Sequence, residues 1–151
     1  MTHRVAVLAG GSSLEREVSL RSGSRVADAL ADRGHQVDRI DVDASMVTQL
    51  TAGDHEVAFL CLHGSAGEDG TVQSLLELLD LPYTGPDVLA SSLAWNKPIA
   101  QGLFRREGID VRANVVLSPQ AFRDMGAAAV IDRVAAELGG QRPVRADLAE
   151  G

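Results

Sequence analysis

The chain has 151 residues, of which 45% are hydrophobic and 23% charged, and its net charge is −7. This is the composition of an ordinary globular domain, and a net negative chain with no Lys/Arg run argues against a nucleic-acid partner. No signal-peptide layout occurs and no run of about 18 apolar residues, so the expectation is a cytoplasmic protein with no membrane contact.

Aromatic residues make up only 3% of the chain, so aliphatic side chains and alanine must fill the core. The one cysteine, Cys61, excludes an intrachain disulfide. Its neighbours Phe59, Leu60 and Leu62 make it a buried strand residue rather than a reactive thiol.

Arg4 to Ala9 reads as a buried strand that ends in the turn Gly10-Gly11. A helix is predicted from Glu15 to Arg33, closed by Gly34, with Val18, Ser22, Val26, Ala29 and Leu30 on its buried face. Gln36 to Val42 is a second strand, with Val37 and Ile40 out of strict alternation. Ala44 to Thr51 follows as a short helix with Asp43 as its cap.

Glu56 to Leu62 is the next buried strand, and it runs into the glycine-rich loop His63 to Gly70. A helix from Thr71 then carries the stripe Val72, Leu75, Leu76 and Leu79, with Asp69 as its cap. Leu81 to Thr84 reads as a short strand, Val88 to Ala94 as a helix capped by Asp87, and Asn96 as the cap of a further helix closed by Gly108. Val115 to Leu117 reads as a last strand, and Ser118-Pro119 opens a helix to Leu138 with a break at Gly126.

Strands alternating with helices predict an α/β fold, an open parallel sheet with helices on both faces. If the strand order is 2-1-3-4, the turn after strand one and the loop after strand three flank the switch point where ligands bind. Gly10, Gly11, His63 and Gly64 would then line one crevice.

The first turn matches neither the P-loop nor the G-x-G-x-x-G fingerprint, which speaks against a nicotinamide-dependent oxidoreductase. Glu15 stands where a phosphate would approach the helix, so an ammonium group suits the turn better than an anion. Two readings of Glu15 remain open, because Ser12-x-x-Glu15 also fits a capping box. His63 is either a structural histidine of its loop or a site residue at the carboxyl edge of the sheet. The loop's Glu68 and Asp69 lack the regular oxygen spacing of a calcium site, and no metal ligand is predicted. Lys97 is the only lysine; it is either a solvated residue of a first turn or a point-charge contact to phosphate.

The ordered set VAVLAGGSSLEREVSLRSG and LCLHGSAGEDGTVQSLLELLDLPYTGPDVLASSLAWNK resembles the amino-terminal part of the D-alanine–D-alanine ligases, over about Arg4 to Gly140. The resemblance implies a pre-ATP-grasp α/β domain over residues 1–95, the start of a truncated ATP-grasp domain over 96–140, and a disordered tail over 141–151. It implies ATP-dependent joining of two D-alanines through an acyl-phosphate, for peptidoglycan, with ATP and magnesium as cofactors.

By the same resemblance Glu15 holds the ammonium of the first D-alanine, His63 lies beside that substrate with Gly10, Gly11 and Gly64, and Lys97 meets ATP phosphates. The family pattern has Asp before this lysine and a second lysine four residues after it; here Asn96 and Gln101 stand there. The family's mobile serine loop, tyrosine, oxyanion-stabilising arginine and magnesium carboxylates have no counterpart in the chain. It is therefore expected to be inactive alone. The alternative function is that of a non-catalytic domain that self-associates, for instance as a homodimer, or pairs with a complete ligase.

Overall fold

The computed structural model describes residues 1–112 and 114–139. In chain order the elements are β1 (Arg4–Ala9), α1 (Arg16–Asp32), β2 (Gln36–Asp41), α2 (Met46–Ala52), β3 (Val57–Leu60), α3 (Thr71–Leu78), α4 (Val88–Trp95), α5 (Lys97–Arg106) and α6 (Pro119–Glu137). One compact unit comprises Met1–Ala100 and a second begins at Gln101. The expected tail over 141–151 lies outside the described residues.

β1 is central because it is apolar at every position that must be buried on both faces. It pairs in parallel with β2 on one side and β3 on the other, in the order β2-β1-β3. The expected fourth strand is reduced to one parallel bridge, Ala58 to Tyr83. It lies beside β3, where a fourth strand would lie, and two backbone hydrogen bonds hold it. Ala58 N–H donates to the Pro82 carbonyl (2.8 Å) and Thr84 N–H to the Ala58 carbonyl (3.0 Å). Pro82 has no N–H to give the ladder, which limits the pairing. Val115 to Leu117 does not form the expected strand.

Side chains alternate across the sheet and divide the core in two. Ala6 and Leu8 of β1 pack with Ile40, Met46, Leu50, Ala58, Val72, Leu76 and Leu81 on one face. Val5, Val7 and Ala9 pack with Ala27 and Cys61 on the other, against Leu20, Val26 and Leu30 of α1. Val37 and Ile40 break the alternation of β2 because they belong to different faces, Val37 to the α1 side and Ile40 to the α2 side.

The buried stripe of α1 is not the one its apolar residues predict. Ser19, Gly23 and Ala27 face the sheet, and Val18 is 44% exposed. Distance is the reason. A Cβ on Gly23 would lie 2.5 Å from the Ala9 Cβ, so only small residues fit along that line. The helix approaches to near backbone contact, and larger apolar side chains flank the seam.

The caps follow local chemistry. Asp87 Oδ1 accepts from Ala90 N–H (2.8 Å), Asn96 Oδ1 from Ile99 N–H (3.2 Å) and Ser118 Oγ from Ala121 N–H (3.0 Å). At α2 the cap position is Ser45, while Asp43 Oδ1 accepts from the Ser45 N–H (2.7 Å) and hydroxyl (2.6 Å). α6 is broken at Gly126, whose φ is +73°.

The close seam makes Gly23→Ala a demanding substitution. It should destabilise the fold by about 1–3 kcal/mol, the usual cost of overpacking. Urea unfolding of the purified variant checks this, and a midpoint equal to wild type would show that the helix can move out at little cost.

Candidate functional site

The carboxyl ends of β1 and β3 lie side by side, so the segments leaving them share one edge of the sheet. A small cleft of about 40 Å³ there is lined by Gly10, Gly11, Ser12, Val42, Leu62, His63, Ser65, Ala66 and Gly67. Gly10 and Gly11 both have positive φ, +83° and +82°. That turn brings the chain sharply from the strand to the helix start.

Glu15 occupies the cap position of α1 but makes no capping hydrogen bond, so the box with Ser12 does not form. The hydroxyl that reaches the Glu15 N–H is Ser13 Oγ, at 3.1 Å. Glu15 Oε2 instead reaches across to the β3 loop, 3.0 Å from where a Cβ on Gly64 would stand. Gly64 has φ +76° and no side chain to fill that space.

His63 is half-buried beside them. Its Nε2 is 3.4 Å from Ser22 Oγ and its Nδ1 is 3.9 Å from Glu68 Oε1. The structure therefore gathers Gly10, Gly11, Glu15, His63 and Gly64 at one sheet edge. Lys97 is exposed at the start of α5.

The loop after β3 is held by many short bonds. Gly64 N–H donates to Glu68 Oε2 (3.2 Å), Ala66 N–H to Asp69 Oδ2 (2.9 Å) and Thr71 N–H to Asp69 Oδ1 (2.9 Å). Burial alone would raise the Asp69 pKa, yet the donors from Thr71 and Ala66 outweigh it and hold the carboxyl below its ordinary range. Buried Gln73 donates from Nε2 to the Gly67 carbonyl (2.9 Å), and Ser92 Oγ donates to the Asp69 carbonyl (2.8 Å).

A family model described as the D-ala D-ala ligase N-terminus matches residues 43–86. The D-alanine–D-alanine ligase of Desulforamulus reducens is 47% identical over 148 residues, which is 97% of this chain and 47% of that protein. The one from Methylobacterium radiotolerans is 53% identical over 111 residues, 74% of this chain and 36% of that protein. Among solved structures, the D-alanine–D-alanine ligase from Bacillus anthracis complexed with ATP aligns at TM-score 0.66 and 32% identity, over 83% of this chain and 45% of that one. The Coxiella burnetii D-alanine–D-alanine ligase aligns at TM-score 0.76 and 25% identity, over 91% of this chain and 50% of that one.

The chain matches the amino-terminal part of the D-alanine–D-alanine ligase family. It spans less than half the length of the two curated relatives just named. The structural likeness supports the same conclusion as the motifs, an open parallel α/β sheet of this family's type.

Four residues organise the edge without standing out in the sequence. Ser19 is fully buried; its Oγ accepts from Gly10 N–H (2.8 Å) and donates to the Cys61 carbonyl (2.7 Å). Ser13 Oγ donates to the His63 carbonyl (2.8 Å), a second tie between the two segments. Arg16 and Asp41 form a forked ion pair beside Gly11. The signal for Ser19 was a polar residue on the seam of a helix, legible only once the seam is known. Arg16 and Asp41 are 25 residues apart, and nothing local links them. Cys61 is buried and burial raises its pKa, which fits a core thiol.

Lys97 is the one group assigned to ATP phosphate by resemblance, and no cluster of three His, Cys, Asp or Glu able to hold a metal occurs among the described residues. No described helix is long and apolar enough to cross a membrane.

The Asp41 carboxyl lies below its ordinary value of 3.8, chiefly because Arg16 donates to it and also through the Gly11 N–H, against an opposing push from burial. Its folded pKa is thus below its unfolded one. The stabilisation is complete above the unfolded value and is lost as pH falls through the folded value. Urea unfolding midpoints of wild type and Asp41→Asn should differ by a constant amount near neutrality and converge as the solution is acidified below pH 3.8. A gap independent of pH would separate Asp41's contribution from its charge.

Proposed function

We propose that this chain is the amino-terminal, substrate-holding part of an ATP-dependent D-alanine–D-alanine ligase, and that Glu15 holds the ammonium of the first D-alanine. The observation that carries the reading is the Glu15 carboxylate set against Gly64 at the sheet edge, with no capping bond to occupy it. A carboxylate accepting from an ammonium makes a charge-assisted hydrogen bond, worth roughly 1.5–3 kcal/mol. Glu68, in the same loop system, adds negative charge and favours a cation over an anion.

His63 flanks the substrate, held in place by its backbone carbonyl to Ser13 and by its ring near Ser22 and Glu68. The turn Gly10-Gly11 lines the cleft together with His63. Lys97 is the group this reading assigns to ATP phosphate, which is the ligand named for the Bacillus anthracis relative. Magnesium would need ligands beyond those described. The ligation places nucleotide, metal and two substrates together, so this chain alone binds without joining.

Glu15 and His63 grip only one end of a small ligand, so the 151-residue chain should bind D-alanine no more tightly than about 1 mM, near −4 kcal/mol. Chemical-shift titration gives the affinity, and Glu15→Gln should weaken it roughly tenfold. Micromolar binding, or an unchanged affinity in Glu15→Gln, would refute the reading. D-alanine-dependent release of phosphate from ATP, above a Glu15→Ala control, would refute the expected inactivity.

A further inference from the structure

Glu15 makes no side-chain capping bond, so the backbone on either side must fix its carboxylate. On one side, Ser13 Oγ accepts from the Glu15 N–H and donates to the His63 carbonyl. This ties Glu15 to the end of β3. On the other side is Arg16, the first residue of α1, whose side chain turns to the end of β2.

There Arg16 Nη1 donates to Asp41 Oδ1 (2.8 Å) and Nη2 to Asp41 Oδ2, a bidentate fork. The same two side chains also hold both peptide groups of one turn residue. Gly11 N–H donates to Asp41 Oδ1 (3.1 Å), and Arg16 Nη1 donates to the Gly11 carbonyl (3.1 Å). The fork presses against the turn closely, for a Cβ on Gly10 would overlap Asp41 Oδ1 and lie 2.8 Å from Arg16 Nη1.

We infer that Arg16 and Asp41 are a positioning pair for substrate binding: their fork sets the Gly10-Gly11 turn and the first turn of α1, and through them the place of the Glu15 carboxylate. This rests on the reading that Glu15 holds a substrate ammonium. The pair has a polarity that an ordinary ion pair lacks. Its acceptor must face the Gly11 N–H and its donor the Gly11 carbonyl. Arg is required for a further reason, since one guanidinium serves a carboxylate and a carbonyl at once and an ammonium on a flexible stem does not hold that fork.

Polarity supplies the test. D-alanine titrations followed by NMR on the 151-residue chain would compare wild type, Glu15→Gln, Asp41→Asn, Arg16→Gln and the exchanged pair Arg16→Asp/Asp41→Arg, with thermal melts of each. Asp41→Asn and Arg16→Gln should weaken D-alanine binding roughly tenfold. The exchanged pair should recover much of the melting temperature lost by the singles, because opposite charges still meet. It should not recover binding, because each partner now presents the wrong polarity to Gly11.

Recovery of both overturns the inference, as a merely structural ion pair would behave that way. Wild-type affinity in both singles, with Glu15→Gln deficient, also overturns it and leaves the ammonium reading intact. Wild-type affinity in Glu15→Gln, or no D-alanine binding by wild type, overturns the ammonium reading and this inference with it. Should a single variant fail to fold, Arg16→Lys keeps the charge without the fork, and affinity equal to wild type in that variant is the overturning result.

Discussion

One buried hydroxyl joins the two segments that make the edge of the sheet. Ser19 Oγ accepts from Gly10 N–H and donates to the Cys61 carbonyl, at zero exposure. A buried peptide group without a partner costs about 1–3 kcal/mol, and here one side chain answers two of them. The bond is possible only because α1 lies nearly on the sheet. That closeness depends on Gly23, which stands against Ala9, and on Ala27 one turn further along. Helix seam, glycine turn and β3 end form one mechanical unit.

The chemistry of the edge follows from how that unit is tethered. Ser13 ties the helix start to His63, Arg16 and Asp41 tie it to the end of β2, and Gln73 and Ser92 brace the loop that follows His63. Glu15 stands between two of these anchors and uses its own carboxylate for neither. The Glu15 carboxylate makes no capping bond and faces Gly64, which has no side chain. The anchors are mostly bonds to backbone, which fix position more firmly than contacts between long exposed side chains.

Much of this was legible in the chain. The apolar run of β1, the pair of glycines after it, the run into His63 and the capping residues Asp87, Asn96 and Ser118 act through neighbours a few residues away. Their outcome depends little on distant parts of the molecule. Several readings differ in the structure. The α1 stripe follows Ser19, Gly23 and Ala27 instead of Val18 and Ser22, because proximity to the sheet selects small residues over apolar ones. The Ser12–Glu15 box gives way to Ser13, which finds the His63 carbonyl. The fourth strand shrinks to one bridge at Tyr83, where Pro82 has no N–H to offer the ladder.

By itself the sequence determined the alternation of strands and helices, the glycine turn at the end of β1, the carboxylate at the start of α1 and the resemblance to the D-alanine–D-alanine ligases. Each is a matter of residue type and short spacing. The tertiary structure alone decided that Glu15 meets Gly64, that Ser19 joins Gly10 to Cys61, and that Arg16 and Asp41 close on Gly11. These contacts join residues from 5 to 49 positions apart in the numbering. Most of them exist only because parallel pairing aligns the carboxyl ends of β1, β2 and β3 at one edge.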